Sequence, residues 1–579
     1  MPVIEDEHSK WPSAEAERVE LFLRKAGDPF QEKSLTGQRK CVFRLNEKSD
    51  LLNVVLKDEV EESVVDIIDP KDIIGANVEI KLIALYSDEE VDKNTSIALR
   101  SSDNDTPSGL RKEAPCSPAE VGQAADNEPS SEILTDNQAN AVLSIFVYPK
   151  RKTRLKGSIF RFCGTDRDDS KPSRAGVTFM EEIDREQDSP GHRYAHHRQF
   201  TVAPTEDFTD LSILVNAIRK LSRQIPTTNS EVPLRDEEER LLVIVNPYSG
   251  KKSGVNEYET MLFPMLEQAG ISHDCLITTH SRHAEERMNK QSSKSDFKDI
   301  SEYSGIVLVG GDGIIHEVMQ GIHRRSDRDE ILKKIKLGTI GAGTSNGFSA
   351  SLAHASKENI SPLDSAFMIA KGMSAWVDLS RYETKSKSYT SFLTFSWAMI
   401  ADIDIESECI RWAGFLRMDI WGVVRVLFLR KYRARFSYLP PTEEKKTVKI
   451  PPLDQPLAGS EGWITCEDEF IVFWVSQVTH AGEQMFHAPP CKLNDGVFHI
   501  MIVRGNVSRV RLAMILLSME HGGHYGMNGV EFVKCSAYRL EPLTQGSFNN
   551  LDGEVIEPGP VQAAALPSSI RAYCAPKYS

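Results

Sequence analysis

The sequence has no apolar run that approaches the roughly 20 residues needed to cross a bilayer. Its beginning lacks the charged start, apolar middle and small-residue cleavage site of a secretory signal, so we expect none. The nine cysteines form no paired CxxC pattern, which is typical of reduced thiols in the cytosol. The net charge of −15 argues against general affinity for nucleic acid. These absences predict a cytoplasmic protein with no nucleic-acid partner.

Two common nucleotide-binding loops are also missing. No glycine is followed by the Lys-Ser/Thr pair of a P-loop, and no turn has the glycine spacing of the dinucleotide fingerprint. Residues 306–318, IVLVGGDGIIHEV, instead place a glycine turn between a β-branched apolar run and apolar positions at helical spacing. This pattern predicts a strand, a tight turn and a helix.

The turn is suited to phosphate. Gly310, Gly311 and Gly313 let backbone amides approach a ligand, and the N-terminus of the following helix favours an anion. Asp312 is the exception, because phosphate repels a carboxylate unless the acid binds a metal or takes a proton. The turn therefore indicates catalysis rather than simple binding.

The chain is long enough, at 579 residues, for two or three domains. Residues 1–37 are charged and weakly periodic, and we expect a flexible N-terminus there. Residues 38–225 contain short alternating runs typical of antiparallel strands, followed by an amphipathic helix at 208–225. Residues 87–140 interrupt this series with a polar composition typical of disorder. A linker is predicted at residues 226–239.

The rest of the chain predicts two domains. In residues 240–380, strands alternate with helices, which indicates an α/β domain with a parallel sheet covered on both faces. Its glycine- or threonine-rich turns fall at the carboxyl ends of the strands, where ligands bind in such sheets. Residues 381–579 are mostly β, which predicts a second, antiparallel domain.

Six ordered motifs carry a resemblance to a known family, the sphingosine kinases: VNPYSGKKSG, VGGDGIIHEVMQGI, IGAGTSNGFSASL, SWAMIADIDIESECIRWAGFLR, RKYRARFSYLP and NNLDGEV. The resemblance covers residues 240–579 and is shared, at the Gly-Gly-Asp-Gly turn, with diacylglycerol and ceramide kinases. It implies an α/β nucleotide-binding domain followed by a β-rich sandwich that binds lipid. The earlier strands resemble a pleckstrin-homology (PH)-like domain. The implied reaction transfers the γ-phosphate of ATP, with Mg²⁺, to the primary hydroxyl of a sphingoid base.

The resemblance also implies site residues. Asp312 corresponds to the catalytic base, and Asp552 is expected to contact the metal as well as the nucleotide site. The residues expected to bind the nucleotide are Asn246, Ser249, Gly250, Lys251, Thr279, Gly310, Gly311, Gly313, Gly341, Gly343, Thr344, Ser345, Asn346, Arg411, Arg417, Asp552, Gly553 and Glu554.

An acidic cluster indicates the substrate. Its members alternate along the chain, so an extended segment would place them on one side, facing one cleft: Asp402, Asp404, Glu406 and Glu408. Such acidity suits the cationic amine of a sphingoid base. By the resemblance Asp404 binds the amine and Glu408 supports it. The alternative is that these carboxylates pair with Arg411 and Arg417.

A lipid tail requires an apolar tunnel, and Thr394 is placed to bond the second hydroxyl of the substrate. The plausible lining residues are also typical of an ordinary core: Phe395, Trp397, Met399, Val475, Met485, Phe486, Val497 and His499.

Residues 420–424, with basic neighbours, predict peripheral docking to an anionic membrane, the alternative being a helix buried between domains. The sequence is also compatible with a homodimer. Ceramide kinase and, from another class, a catalytically silent lipid- or nucleotide-sensing scaffold are the alternative functions.

Overall fold

The computed structural model describes residues 20–25, 40–46, 51–57, 62–68, 73–82, 139–148, 150, 193, 195–202, 239–250, 252–289, 297–443, 445–457 and 462–574. Among them, no helix combines the length and the apolar composition required to span a bilayer.

The strands are β1 (Glu20–Lys25), β2 (Lys40–Asn46), β3 (Leu51–Lys57), β4 (Glu62–Ile68), β5 (Ile73–Leu82), β6 (Ala139–Val147), β7 (His196–Val202), β8 (Arg240–Val245), β9 (Ser272–Ile277), β10 (Gly305–Gly310), β11 (Lys336–Gly341), β12 (Ser374–Glu383), β13 (Ser388–Ser391), β14 (Thr394–Ala398), β15 (Tyr432–Leu439), β16 (Ile464–Ser476), β17 (Phe498–Arg504), β18 (Glu531–Cys535), β19 (Ala537–Pro542), β20 (Asn549–Leu551), β21 (Glu554–Ile556) and β22 (Val561–Tyr573).

The helices are α1 (254–268, with a π-helical middle at Tyr258–Leu262), α2 (His283–Asn289), α3 (Asp312–His323), α4 (Arg328–Lys334), α5 (Gly347–Ser356), α6 (Pro362–Lys371), α7 (Met399–Glu406), α8 (Arg417–Leu427) and α9 (Arg509–Leu517). Short 3-10 segments lie at Ile300–Glu302, Ser407–Leu416 and Ser518–His521.

The predicted parallel sheet is confirmed. Strands β11, β10, β8 and β9 are neighbours in that order and run parallel. Every residue of β10 is buried, as is Leu241–Val245 in β8, because helices cover both faces of such a sheet. Their carboxyl ends therefore open on one edge.

Strand β22 joins the parallel sheet to the β-rich part of the chain. It pairs in parallel with β11 and in antiparallel with β12 and β19, so that one sheet of 15 strands runs through both parts. The predicted boundary at residue 380 falls inside β12.

The β-rich part has two clusters of buried side chains on opposite faces of β14, β16 and β17. One is aromatic and includes Phe395, Trp397 and Phe473. The other packs α7 and α9 on the sheet and includes Met399 and Trp474. Alternation along each strand sends neighbouring residues to different clusters.

The N-terminal strands form an antiparallel sheet in the order β4-β3-β2-β1-β7-β6-β5. Strand β1 lies within residues 1–37, for which we predicted a flexible terminus, and pairs with β2 and β7. The predicted helix at 208–225 and most of the predicted insertion at 87–140 lie outside the described residues. The PH-like assignment stays a prediction.

A buried ion pair joins this N-terminal sheet to the nucleotide domain. The Arg193 guanidinium donates to both carboxylate oxygens of Glu358, at 3.1 and 3.0 Å, and both side chains are 6% exposed. Lys150 Nζ lies 2.9 Å from the same carboxylate. The guanidinium also covers the Phe367 ring at 3.6 Å and donates to the Tyr148 carbonyl. The pair therefore anchors the sheet on α6 and the end of α5.

Replacement of Arg193 by Ala is expected to lower the free energy of unfolding by about 3 kcal/mol, because the Glu358 carboxylate stays buried with one partner fewer. Burial would raise the pKa of Glu358, but Arg193 and Lys150 outweigh it and hold that pKa below its ordinary value. The loss is therefore largest at neutral pH and disappears as the pH falls through the folded pKa.

Chemical unfolding of the full chain measures this effect. The matched control is Arg435→Ala, which breaks an exposed pair with Glu467 and is expected to cost about 1 kcal/mol or less. Equal losses for the two variants would contradict a structural role for Arg193.

Candidate active site

Three glycine turns meet where β8, β10 and β11 end. A Cβ on Gly250, whose φ is +50°, would lie 2.7 Å from the Ala342 oxygen. A Cβ on Gly343 would lie 2.3 Å from the Gly311 Cα. A side chain at either position would push the turns apart. The structure thus brings together the turns that the sequence placed at strand ends.

Asp312 connects two of these turns. It begins α3, and its carboxylate accepts hydrogen bonds from the Gly347 amide at 2.7 Å and the Phe348 amide at 3.1 Å. These are the first two amides of α5, which a carboxylate satisfies well at a helix N-terminus. Asp312 therefore fastens the β10 turn to the β11 turn.

Burial raises the pKa of Asp312 to about 6. The two α5 amides lower the pKa, and the charges of Asp552 and Glu483 raise it further. A carboxyl group with this pKa is ionised at neutral pH and still holds a proton readily, as a general base requires.

Asp552 reaches the same place from the turn between β20 and β21. One carboxylate oxygen accepts from the Ser391 hydroxyl at 2.7 Å and from the Leu393 and Thr394 amides, both at 3.1 Å. The other oxygen lies 3.4 Å from His316 Nδ1. Asp552 is 3% exposed, with a left-handed φ of 54°. One of its two oxygens is thus fully occupied.

His316 is a site residue that our reasoning from the sequence missed. It lies four residues after Asp312 on α3, so both side chains occupy one face of the helix. Burial lowers the pKa of His316, but Asp552 and Glu554 outweigh burial and leave it raised. The i, i+4 spacing from Asp312 was the signal that could have found it.

Asp402, Asp404 and Glu406 lie on α7 and Glu408 lies on the 3-10 segment that follows, so the interpretation as an extended segment is wrong. The alternation of acids and isoleucines fits a strand, but Met399 and Ile403, one helical turn apart, both pack into the core. On a helix, residues four apart share a face. Asp402 and Glu406 therefore share a face of α7, and Asp404 lies on another.

Asp404 is the member that reaches the site. Its carboxylate accepts a hydrogen bond from the Asn550 amide, two residues before Asp552. Burial raises the pKa of Asp404, and the Asn550 bond and the Arg417 charge oppose this rise. Glu408 forms an ion pair with Arg417, which is the alternative left open by the sequence.

Asp402 and Glu406 point away from Asp404. The Tyr432 hydroxyl donates to Asp402 at 2.5 Å, and Arg430 and the Trp421 indole donate to Glu406 at 2.8 and 2.9 Å. Asp402 thus bonds β15 and Glu406 bonds α8. The role of Asp402 as a substrate contact stays a prediction.

Comparison with known proteins gives two family matches. A profile described as the diacylglycerol kinase catalytic domain matches residues 240–381. A second, described as the YegS C-terminal NAD kinase beta sandwich-like domain, matches residues 464–574. A diacylglycerol kinase structure from Bacillus anthracis str. Sterne covers 60% of this chain and 99% of its own, with 17% identity and a TM-score of 0.43.

Whole proteins also match. Sphingosine kinase 2 of Arabidopsis thaliana is 30% identical over 344 residues, which cover 55% of this chain and 69% of that protein. Sphingosine kinase 1 of Homo sapiens is 30% identical over 352 residues, which cover 57% of this chain and 89% of that protein. The chain belongs to the sphingosine kinase family. It is therefore an ATP-dependent lipid kinase.

The other residues predicted to bind the nucleotide differ in their surroundings. Asn346, with a φ of 52°, accepts from the Gly343 amide at 2.8 Å and donates to Glu483 at 2.6 Å. Thr279 lies exposed at the end of β9. Lys251 is outside the described residues, as is the side chain of Arg411.

Two predicted lipid contacts have other partners. His499 is fully buried, and its Nε2 lies 2.7 Å from Asp495. Phe486 stacks on His480 at 4.7 Å and contacts His354 at 4.9 Å between ring centroids. Neither contact joins these side chains to Asp404.

In this sphingosine kinase, Asp312→Asn is expected to lower kcat by about 10²–10⁴-fold, the usual contribution of a general base. Because Asp312 must be ionised to accept a proton, wild-type activity is expected to fall as the pH drops below about 6. Transfer of labelled γ-phosphate from ATP to lipid, measured from pH 5 to 8, checks both effects.

Asp329→Asn is the control, since that carboxylate is 80% exposed on α4. Full activity of Asp312→Asn at pH 7 would eliminate Asp312 as the base. An unchanged acidic limb in the residual activity of that variant would assign the limb to another group.

Proposed function

We propose that this kinase transfers the γ-phosphoryl group of ATP to the primary hydroxyl of a sphingoid base, giving a sphingoid 1-phosphate. The observation that carries the proposal is a partly buried carboxylate, Asp404, held by Asn550 two residues before Asp552, whose own carboxylate lies 3.4 Å from His316 on the helix that Asp312 begins. An acid suited to a cation is thus connected through Asn550, Asp552 and His316 to the helix that follows the β10 turn.

Asp312 accepts the proton of the substrate hydroxyl. The two α5 amides occupy one acceptor position on each of its oxygens, and a carboxylate oxygen has a second. A primary alcohol is a poor nucleophile, so a carboxylate within reach of its proton assists the attack on phosphorus.

The ATP phosphates lie against the turns of β8, β10 and β11. The positive end of α3 and the glycine-rich backbone of these turns favour negative charge. Arg417, with Lys251 and Arg411, adds the cations that the transferring phosphoryl group needs. Arg417 pairs with Glu408 in this structure, so it exchanges one anionic partner for another when ATP binds.

Asp552 is the residue that would hold Mg²⁺. Three donors fill one of its oxygens, whereas the other has only His316 at 3.4 Å. One carboxylate oxygen suits an ion that is otherwise held by water and phosphate. Bound Mg²⁺ would neutralise phosphate charge, and Asp552 itself ties the β20–β21 turn to β14.

Asp404 selects the lipid class. Its carboxylate is largely buried, and a protonated amine offers it a charge-assisted hydrogen bond. Ceramide and diacylglycerol have no cation at this position. The same acid, without a cationic partner, stays costly to keep charged, which is why burial raises its pKa.

The decisive experiment offers Mg-ATP with sphingosine, ceramide and diacylglycerol in parallel. We expect phosphorylation of sphingosine alone, and a fall in kcat/KM of about 10²-fold in Asp404→Asn through the loss of a charged hydrogen bond. Asp402→Asn is the matched control, because it makes the same change on the opposite face of α7.

Labelling of ceramide instead would overturn the amine assignment. Labelling of no lipid, together with a thermal shift on adding ATP, would favour the silent scaffold. Equal losses in Asp402→Asn and Asp404→Asn would mean that α7 needs both acids only to fold.

The lipid reaches the site from a membrane, and we assign docking to the exposed apolar side chains of α8 and α9. The two helices pack together. This α8–α9 surface consists of Ile420, Val423, Leu427, Phe428, Val510, Met514 and Leu517. Trp421, predicted for this role, is held by Glu406, and Arg425 is buried. Apolar contact thus contributes more than basic charge to docking.

Val423→Ser with Leu427→Ser is expected to abolish binding to liposomes that contain anionic lipid, because each of these side chains is about 60% exposed. Turnover of sphingosine in detergent micelles should be unchanged. Sedimentation with liposomes measures the binding. Ile464→Ser, an exposed apolar change on β16, is the control, and wild-type binding by the double variant would refute this docking surface.

A further inference from the structure

The chain brings a thiol, a carboxylate and an imidazole together just before and within β17. Cys491, Asp495 and His499 each offer one atom that could bind a metal, and these three atoms all lie within 4.8 Å of one another. His499 lies on β17, and the other two residues lie in the loop that leads into this strand. In the part of the chain that the structure describes, this is the only such group of three.

Polar atoms in this group are buried without partners. Cys491 is 5% exposed and His499 is 1% exposed. Nδ1 of His499 and Oδ1 of Asp495 are buried and accept no hydrogen bond from, and donate none to, any described residue. The thiol has one long contact, 3.9 Å from Sγ to the Lys492 carbonyl oxygen. Buried polar atoms are nearly always paired, so unpartnered ones at one place indicate that an ion or a water molecule binds there.

The loop that carries Cys491 is fixed where the two domains meet. The Asp378 carboxylate accepts from the amides of Gly496 and Ser568, at 2.5 and 2.7 Å, so it supports the loop and is not a further ligand. The Asp378 amide donates to the Leu493 carbonyl at 2.7 Å. Leu493 packs into the core of the nucleotide domain, whereas Phe498 packs into the aromatic cluster of the β-rich part. The three candidate ligands are thus held in place by contacts to both domains.

The types of ligand select the metal. Thiolate and imidazole suit Zn²⁺, whereas Mg²⁺ and Ca²⁺ take oxygen ligands. Tetrahedral zinc, with bonds of about 2.0–2.3 Å, places its ligand atoms roughly 3.3–3.8 Å apart, and small shifts of the three side chains meet this requirement. One thiolate and one carboxylate also carry the two negative charges that a divalent cation neutralises, which suits a mostly buried site.

We propose that Cys491, Asp495 and His499 bind a Zn²⁺ ion that ties the loop to β17 at the junction of the two domains. The thiol loses its proton when it binds the ion. The Asp495 side chain is 21% exposed, so one side of the site is open to solvent and a water molecule completes the coordination. This ion is distinct from the Mg²⁺ proposed at Asp552. His499, which the sequence predicted as a lipid contact, binds the metal instead.

The test measures the metal content of the full-length chain after dialysis against ZnCl₂ and then against metal-free buffer. We expect wild type to retain about one zinc ion per chain. Cys491→Ala and Asp495→Asn should each weaken zinc binding by more than about 100-fold, since a residue that only orients a ligand already contributes 10–100-fold. Chelation should lower the Tm of wild type by about 5 °C, and ZnCl₂ should restore it. The Tm of Cys491→Ala should respond to neither.

Cobalt provides a readout that a general loss of stability would not imitate. Co²⁺ in place of Zn²⁺ should give a charge-transfer band from thiolate to metal in the near ultraviolet, and Cys491→Ala should lack it. Two other cysteines provide controls. Cys535 is completely buried and pairs with Phe498, next to His499, whereas Cys409 is exposed. Cys535→Ala and Cys409→Ala should keep both the zinc and the band.

A wild-type chain that retains no zinc would overturn the inference, whatever the variants do. Zinc and a cobalt band that persist in Cys491→Ala would place the metal elsewhere and overturn it as well. Loss of the band in Cys409→Ala alone would show adventitious binding by a surface thiol and would also refute it. These measurements use neither lipid nor ATP, so their failure leaves the proposed function intact.

Discussion

The hydrogen bonds from the first amides of α5 to Asp312 are the interaction on which the site depends. They join the turns after β10 and β11, and glycine at Gly311 and Gly343 lets those turns approach closely. The same bonds stabilise the ionised carboxylate, whereas burial and the neighbouring acids raise its pKa to about 6. The same arrangement thus holds the two turns together and sets the proton affinity of Asp312. Burial favours binding of a proton by the carboxylate, and the two hydrogen bonds favour its release.

The part of the site formed by Asn550 and Asp552 depends on the C-terminal strands, which bring the chain back to the nucleotide domain. Strand β22 inserts beside β11, and β20 with the turn after it carries Asn550 and Asp552 back to α7 and α3. Asp552 accepts from the amides at the start of β14, so the order of that turn and the position of β14 are coupled. A nucleotide domain and a lipid domain that share one sheet can hold reacting groups in register without a flexible hinge between them.

Much of this arrangement was predictable from local patterns. The buried apolar runs and the glycine turns predicted the parallel sheet and the edge that binds phosphate, because strand ends on one edge are close in space. We expected the acids around Asp404 to lie on an extended segment because their alternation fits the two-residue period of a strand. The segment is a helix because Met399 and Ile403, four residues apart, pack into the same core. The role of Asn550 and the pairing of β22 could not be predicted, since both depend on contacts between distant parts of the chain.

The register of β14 follows from its aromatic side chains. Phe395 and Trp397 are completely buried in the aromatic cluster, so burial of large rings fixes which residues of the strand face inward. Their neighbours Thr394 and Ser396 then face the other side of the sheet, on which α7 packs. A shift of one residue would exchange the two sets and would bury hydroxyls among the rings. The aromatic core thus determines which residues of β14 face the helix that carries Asp404.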